Sequence, residues 1–186
     1  MRMFVAVVPP DDVIEHLDEF LDVRRDAAGF RWAAAEQFHV TVAFLADVPD
    51  RHLDDLVTRL ARAAARRTAF ATAIAGGGAF PNAARARVVW AGLDLADDGR
   101  TELSRMATGA RAAANRAGVP VDGQRFRAHV TVARLGRPQE VSSWVRLLDS
   151  YRGPTWTGDQ VALGATYLGD CPRGRPRYEP VEEFPL

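Results

Sequence analysis

The sequence predicts an α+β fold of two pseudo-symmetric lobes, each an antiparallel sheet backed by helices, with a cleft between them. Three observations predict it. Short strand-like runs alternate with stretches whose apolar residues recur at helical spacing. The order of these elements begins again near the middle of the 186 residues. And one tetrapeptide, His-Val-Thr-Val, occurs at residues 39–42 and again at 129–132, an offset of 90 residues.

Phe4 to Val8 is an apolar run of strand length, cut by Pro9-Pro10. Proline and the aspartates after it suit the first turn of a helix, with Val13, Ile14, Leu17, Phe20 and Leu21 on one face. Phe30-Arg31-Trp32 is a short extended piece, and Phe38 to Leu45 holds the first tetrapeptide. Pro49-Asp50 opens a second helix through Leu53, Leu56, Val57, Leu60 and Ala64. Phe70 to Ala75 reads as a strand ending in a Gly76-Gly77-Gly78 loop, and Arg87 to Leu95 as a strand through Trp90. The second half follows the same order. A helix carries Leu103, Met106, Ala107, Ala110 and Ala114 and stops at Gly118-Val119-Pro120. Phe126 to Leu135 holds the second tetrapeptide. Gly136-Arg137-Pro138 is expected to open a helix with Val141, Trp144, Val145 and Leu148 inward. Val161 to Leu168 and Arg177 to Val181 are the closing strands. No linker-like composition separates the halves. Residues 1–186 read as a single two-lobed domain, an internal duplication of approximately 1–93 and 87–186.

Formal net charge is zero, from 24 Lys+Arg and 24 Asp+Glu. That excludes a broad electrostatic footprint for duplex nucleic acid but leaves room for a small site reading one RNA end. The basic residues are all arginine. A GC-rich genome accounts for the missing lysines without any functional cause, although the planar arginine fork also suits phosphate. The single cysteine, Cys171, leaves no internal disulfide and no thiolate metal cluster. The N-terminal apolar run is too short for a signal peptide, and nothing reaches the length of a membrane span. A cytoplasmic protein with no membrane partner is expected. No oligomerisation surface stands out, so a monomer is expected.

Chemistry concentrates in the doubled tetrapeptide. Alternate residues of a strand share a face, so His39, Thr41 and Ala43 point one way and Val40, Val42 and Phe44 the other. His129, Thr131 and Ala133 repeat the pattern, opposite Val130 and Val132. Two facing imidazoles can hold one protonated and one neutral nitrogen near neutral pH. One takes a proton from an attacking oxygen and the other gives one to a leaving oxygen. Threonine hydroxyls can donate to the non-bridging oxygens of a phosphodiester between them. Such a site needs no metal and no cofactor. Which imidazole is the acid does not follow from the residues. His16 and His52, on helix patterns, read as surface residues. Arg134 stands opposite His129 and Thr131 by strict alternation, and twist or a bulge could bring it round to them. Arg125 and Arg127 precede the same strand and could meet an RNA backbone. Phe44 and Phe126 could stack on a base, although parity places Phe44 in the core.

The chain resembles the two-histidine phosphoesterase superfamily, and within it the LigT-like RNA 2′,3′-cyclic phosphodiesterases, also called 2′-5′ RNA ligases. The resemblance rests on Arg31-Trp32 with the 36–45 segment, on Gly78-Ala79-Phe80-Pro81 with Val88-Val89-Trp90-Ala91-Gly92, on 126–134, and on the closing 178–186 segment. Ala128 and Ala46 stand where the family often has proline and glycine. The resemblance implies that His39 is the proton donor to the leaving ribose oxygen, that His129 is the proton acceptor that activates water, and that Thr41 and Thr131 bind the phosphate. It keeps an arginine at Arg134 as a substrate-binding candidate. The implied reaction opens a 2′,3′-cyclic phosphate on an RNA end, or on a small cyclic nucleotide, to a 2′-phosphomonoester. The alternatives are an RNA-end-binding protein, a reversible 2′-5′ ligase of tRNA halves, and a hydrolase of another cyclic or 2′-5′ nucleotide.

Overall fold

The structure is a computed structural model that describes residues 1–167 and 176–186. Strand β1 (Arg2–Val7) ends at the two prolines, and α1 (Asp11–Asp22) starts directly after them with Asp11 and Asp12 in its first turn. Acidic side chains there meet the positive end of the helix dipole. The chain continues through β2 (Arg31–Trp32), β3 (Val40–Leu45), α2 (Asp50–Ala64), β4 (Phe70–Phe80) and β5 (Ala86–Leu95). Then come α3 (Asp97–Arg116), β6 (Val130–Gln139), α4 (Ser142–Asp149), β7 (Trp156–Gly158), β8 (Gln160–Tyr167) and β9 (Arg177–Pro185).

The strands form an antiparallel sheet in the order β7-β4-β5-β6-β3-β1-β8-β9, with β2 paired to β6 off this path. Its two four-stranded halves are the two lobes. They meet at β6 and β3, where a single residue pair, Val40 with Val130, makes the ladder. The order reads the same outward from that seam when β3 is matched with β6, β1 with β5, and β8 with β4. The third strand is exchanged between sequence halves: β4 pairs with β5, and β8 pairs with β1.

The apolar face of the seam strands is fully inside: Val40, Val42 and Leu45 on β3, and Val130, Val132 and Leu135 on β6. Leu56 and Leu60 of α2 and Leu103 and Met106 of α3 are buried in the same core. Each such leucine stabilises the fold by about 1.5–3 kcal/mol relative to exposure. The two helices approach closely because Gly109 faces Ala63, where an added Cβ would sit 3.4 Å from the alanine Cβ.

Several elements depart from the sequence expectation. The glycine run is not a loop but the middle of β4. Gly76 takes φ +73 at a register shift in the β4–β5 ladder, a conformation glycine adopts without steric cost. A Cβ on Gly77 would lie 2.3 Å from the Leu148 Cβ, and one on Gly78 would lie 2.2 Å from the Trp90 ring. These glycines therefore admit α4 and an indole onto the strand. Gly136-Arg137-Pro138 does not open a helix; it prolongs β6 until Gln139 pairs with Ala86. Helix α4 starts only at Ser142, whose N–H donates to the Glu140 carboxylate at 2.8 Å. Strand β6 begins at Val130, not Phe126; upstream of it the Asp122 N–H donates to the Phe44 carbonyl at 3.2 Å. The three-residue β7 gives no periodic signal and was not expected. Leu168 and Cys171 lie outside the described residues.

Candidate active site

The site is built at the seam. Pairing Val40 with Val130 in an antiparallel ladder sets His39 opposite Thr131 and Thr41 opposite His129. The two histidines thus take one diagonal of a four-residue square and the two threonines the other. In a regular ladder such diagonals span about 7–8 Å. All four residues line one cavity of about 630 Å³.

Arg134 and Phe44 line it too, and a matched pair of β-bulges explains why. In the β1–β3 ladder Val5 pairs with Ala43 and Ala6 with Thr41, so Val42 is the extra residue. In the β5–β6 ladder Val89 pairs with Ala133 and Trp90 with Thr131, so Val132 is the extra residue. An unpaired residue shifts the alternation by one. Ala43 and Ala133, expected on the histidine face, are therefore buried in the core. Phe44, expected in the core, turns onto the cleft, and Arg134 comes round in the same way. The two positions are equivalent, five residues after each histidine, yet one is aromatic and the other cationic.

Each histidine sits in an aromatic bracket. The Phe4 ring stacks on His39 at 4.6 Å and 11°, and Tyr178 meets the same imidazole edge-on at 5.1 Å. Phe80 meets His129 edge-on at 4.9 Å, with Trp90 at 6.0 Å. The brackets share a construction. Phe4 pairs with Gly164 and Trp90 with Gly78, and a Cβ on Gly164 would lie 2.5 Å from the Phe4 ring. In both lobes a glycine on the next strand makes room for the ring that backs the imidazole. Sequence reading missed Phe4, Tyr178 and these two glycines; a glycine opposite an aromatic residue becomes a signal only once the register is known.

Burial dominates the electrostatics of the imidazoles. It pushes His39 down to about 4, against a backbone hydrogen bond at Gln37 that favours the charged form; His129 and Arg134 press it further down. Burial also lowers His129, with Arg134 adding to it and the Arg127 backbone opposing. The Arg127 carbonyl accepts from His129 Nδ1 at 2.7 Å, which leaves Nε2 as the ring nitrogen able to accept a proton. Tyr178 is pushed up by burial. Arg2, Arg31 and Arg134 line the cavity with no carboxylate among its lining residues. Arg2 also lies over the Phe44 ring at 5.5 Å. The cleft is built for an anion of modest size with an apolar, stackable part.

The remaining candidates lie apart. His16 is exposed on α1, with Nδ1 2.8 Å from the Tyr151 hydroxyl. His52 is half-buried beside Gly118, not fully at the surface. Arg125 and Arg127 are exposed outside the cavity lining, Arg127 over the Phe80 ring at 5.6 Å. Phe126 packs against the core instead of presenting a free face. No group of three or more His, Cys, Asp or Glu side chains able to hold a metal ion occurs among the described residues. No described helix is long and apolar enough to cross a membrane.

Residues 7–90 and 93–165 match the sequence profile of the LigT like Phosphoesterase family. The chain belongs to this family. Among curated relatives, the RNA 2′,3′-cyclic phosphodiesterase of Archaeoglobus fulgidus is 33% identical to this LigT-like phosphoesterase over 151 residues, covering 81% of this chain and 82% of the relative. A Thermus thermophilus protein of solved structure is 28% identical, with a TM-score of 0.78 and coverage of 100% of this chain and 98% of that one. Escherichia coli LigT, crystallised with 3′-AMP, superposes with a TM-score of 0.79 at 24% identity, covering 100% of this chain and 97% of LigT. At that identity the likeness speaks for the fold.

Proposed function

We propose that this LigT-like phosphoesterase is an RNA 2′,3′-cyclic phosphodiesterase, which opens the cyclic phosphate at an RNA end to a 2′-phosphomonoester. The Archaeoglobus relative carries that activity in its name. The observation that carries the reading is the square of His39, Thr131, His129 and Thr41 on one anion-suited cavity. His129 takes a proton from water as the water oxygen attacks phosphorus. His39 gives its proton to the ribose 3′-oxygen as the P–O3′ bond breaks. Thr41 and Thr131 donate to the two non-bridging oxygens, and Arg134 offsets their charge. By microscopic reversibility, the reverse, ligating direction exchanges the two histidine roles. No step needs a metal. The same proposal takes the protein as a monomeric, cytoplasmic enzyme acting on RNA ends and small cyclic nucleotides. It treats residues 1–186 as one domain duplicated as approximately 1–93 and 87–186, and the mirrored strand order supports this.

The test is hydrolysis of a 2′,3′-cyclic mononucleotide and of an oligonucleotide with a cyclic phosphate end, in chelator, with the product assigned by phosphorus NMR. A 2′-phosphate is expected from both. Cleavage of neither leaves RNA-end binding as the reading. His39→Ala and His129→Ala should each lose roughly 10²–10⁴-fold in kcat; full activity in either sinks the mechanism.

A further inference from the structure

Two rows of arginine face each other across a groove of about 390 Å³ between α2 and α3. Arg59 and Arg62 lie on α2, Arg105 and Arg116 on α3, and Arg66 and Arg67 stand just beyond the end of α2. Small residues floor the groove, with Ala63 and Gly109 in near contact. Compensation is partial. Asp55 pairs with Arg59 at 2.8 Å, while Glu102 reaches Arg67 and Arg105 only at 3.7 and 3.8 Å. Arg62, Arg66 and Arg116 are exposed, and among the described residues none of the three has a salt-bridge partner. In a chain of zero net charge this is segregation of charge, not a generally basic surface.

The groove shares no lining residue with the catalytic cavity. Helix α3 packs against β3, on the apolar face opposite His39 and Thr41. We propose that the groove is a second anion site, which holds the phosphate backbone of an RNA whose reacting end lies in the cleft. This rests on the phosphodiesterase reading for the choice of RNA. Guanidinium forks in two rows suit a chain of phosphates, each able to accept two parallel N–H bonds. A short substrate cannot reach from the cleft to the helix layer, so the groove acts only on long RNA.

The experiment measures binding of a tRNA-half-length RNA with a 3′-hydroxyl end, which cannot react, by fluorescence anisotropy across a salt series. Arg62→Glu/Arg66→Glu/Arg116→Glu is expected to weaken binding roughly tenfold or more and to flatten the salt slope, by roughly 0.7 for each phosphate no longer neutralised. Hydrolysis of a cyclic mononucleotide by the same variant stays unchanged. The corresponding triple Gln variant, which removes charge without reversing it, should also bind more weakly and decides the matter if the Glu variant unfolds. Wild-type affinity and slope in the Gln variant overturn the proposal, as does a groove that binds polyglutamate but not RNA. Failure of mononucleotide hydrolysis in the wild type counts against the phosphodiesterase reading alone, because 3′-hydroxyl RNA binding involves no catalysis.

Discussion

His39 is held down to about 4 chiefly by burial, and this has two measurable consequences. In the free enzyme at pH 7 only about one imidazole in a thousand is protonated there. An acid that must be charged to act is therefore scarcer as pH rises, so kcat/KM for a small cyclic nucleotide should peak on the acid side of 6.5. Bound phosphate favours the imidazolium, so the kcat profile should peak at higher pH than kcat/KM. Coincident profiles, or a rate flat from pH 5 to 9, would contradict the assignment. Stability runs the opposite way with pH. An unfolded histidine takes its proton near 6.5 and the folded one only near 4. The contribution is complete above 6.5 and is lost as pH falls toward 4, on the order of 2 kcal/mol of it by pH 5. Urea melts at pH 7 and pH 5 should show that loss, and His39→Gln should reduce it. Gly78 and Gly164 give a second pair of tests. Alanine at either drives a Cβ into the ring behind a histidine, at a cost of about 1–3 kcal/mol. Both should lower kcat more than they raise KM, as single-turnover kinetics will show.

At the scale of elements, the bulges at Val42 and Val132 decide which side chains the cleft receives. The histidines and threonines were legible because they precede the bulge, where strict alternation still holds. Ala43, Phe44 and Ala133 were misplaced because they follow it, and a valine between threonine and alanine carries no mark of irregular pairing. Arg134 was placed only by allowing for a bulge that the residues do not signal. The helices were legible from their apolar spacing. The glycine run was not, since glycine for a turn and glycine for close approach look the same until Leu148 and Trp90 are in place. Arg134→Ala should raise KM about 10-fold with little change in melting temperature, as expected of an exposed arginine on a bound anion. Phe44→Ala should weaken an RNA end more than it weakens a ligand lacking a base; equal losses on both would remove stacking as its role.

For the whole molecule, the two-lobed layout was legible from the repeated tetrapeptide and the repeated element order. The exchange of β4 and β8 was not, because pairing partners far apart in sequence leave no local trace. Exchange makes the sequence halves interdependent. A fragment of residues 1–93 keeps β1 and β3 but lacks β8, which closes their edge, and lacks β6, beside which β5 packs. It should show no cooperative thermal transition by circular dichroism. A sharp transition at the full-length temperature would mean that the halves fold alone.

The seam has a further consequence. Each lobe is completed by a strand from the other half of the chain, and the lobes join through the one pair Val40–Val130. A half-length chain could build this architecture only by trading its third strand with an identical copy, as a strand-swapped homodimer with its axis through that pair. Such a dimer would have carried the same residue five positions after each histidine. Phe44 and Arg134 break that identity: on one continuous chain, one side of the cleft carries an aromatic ring and the other a charge.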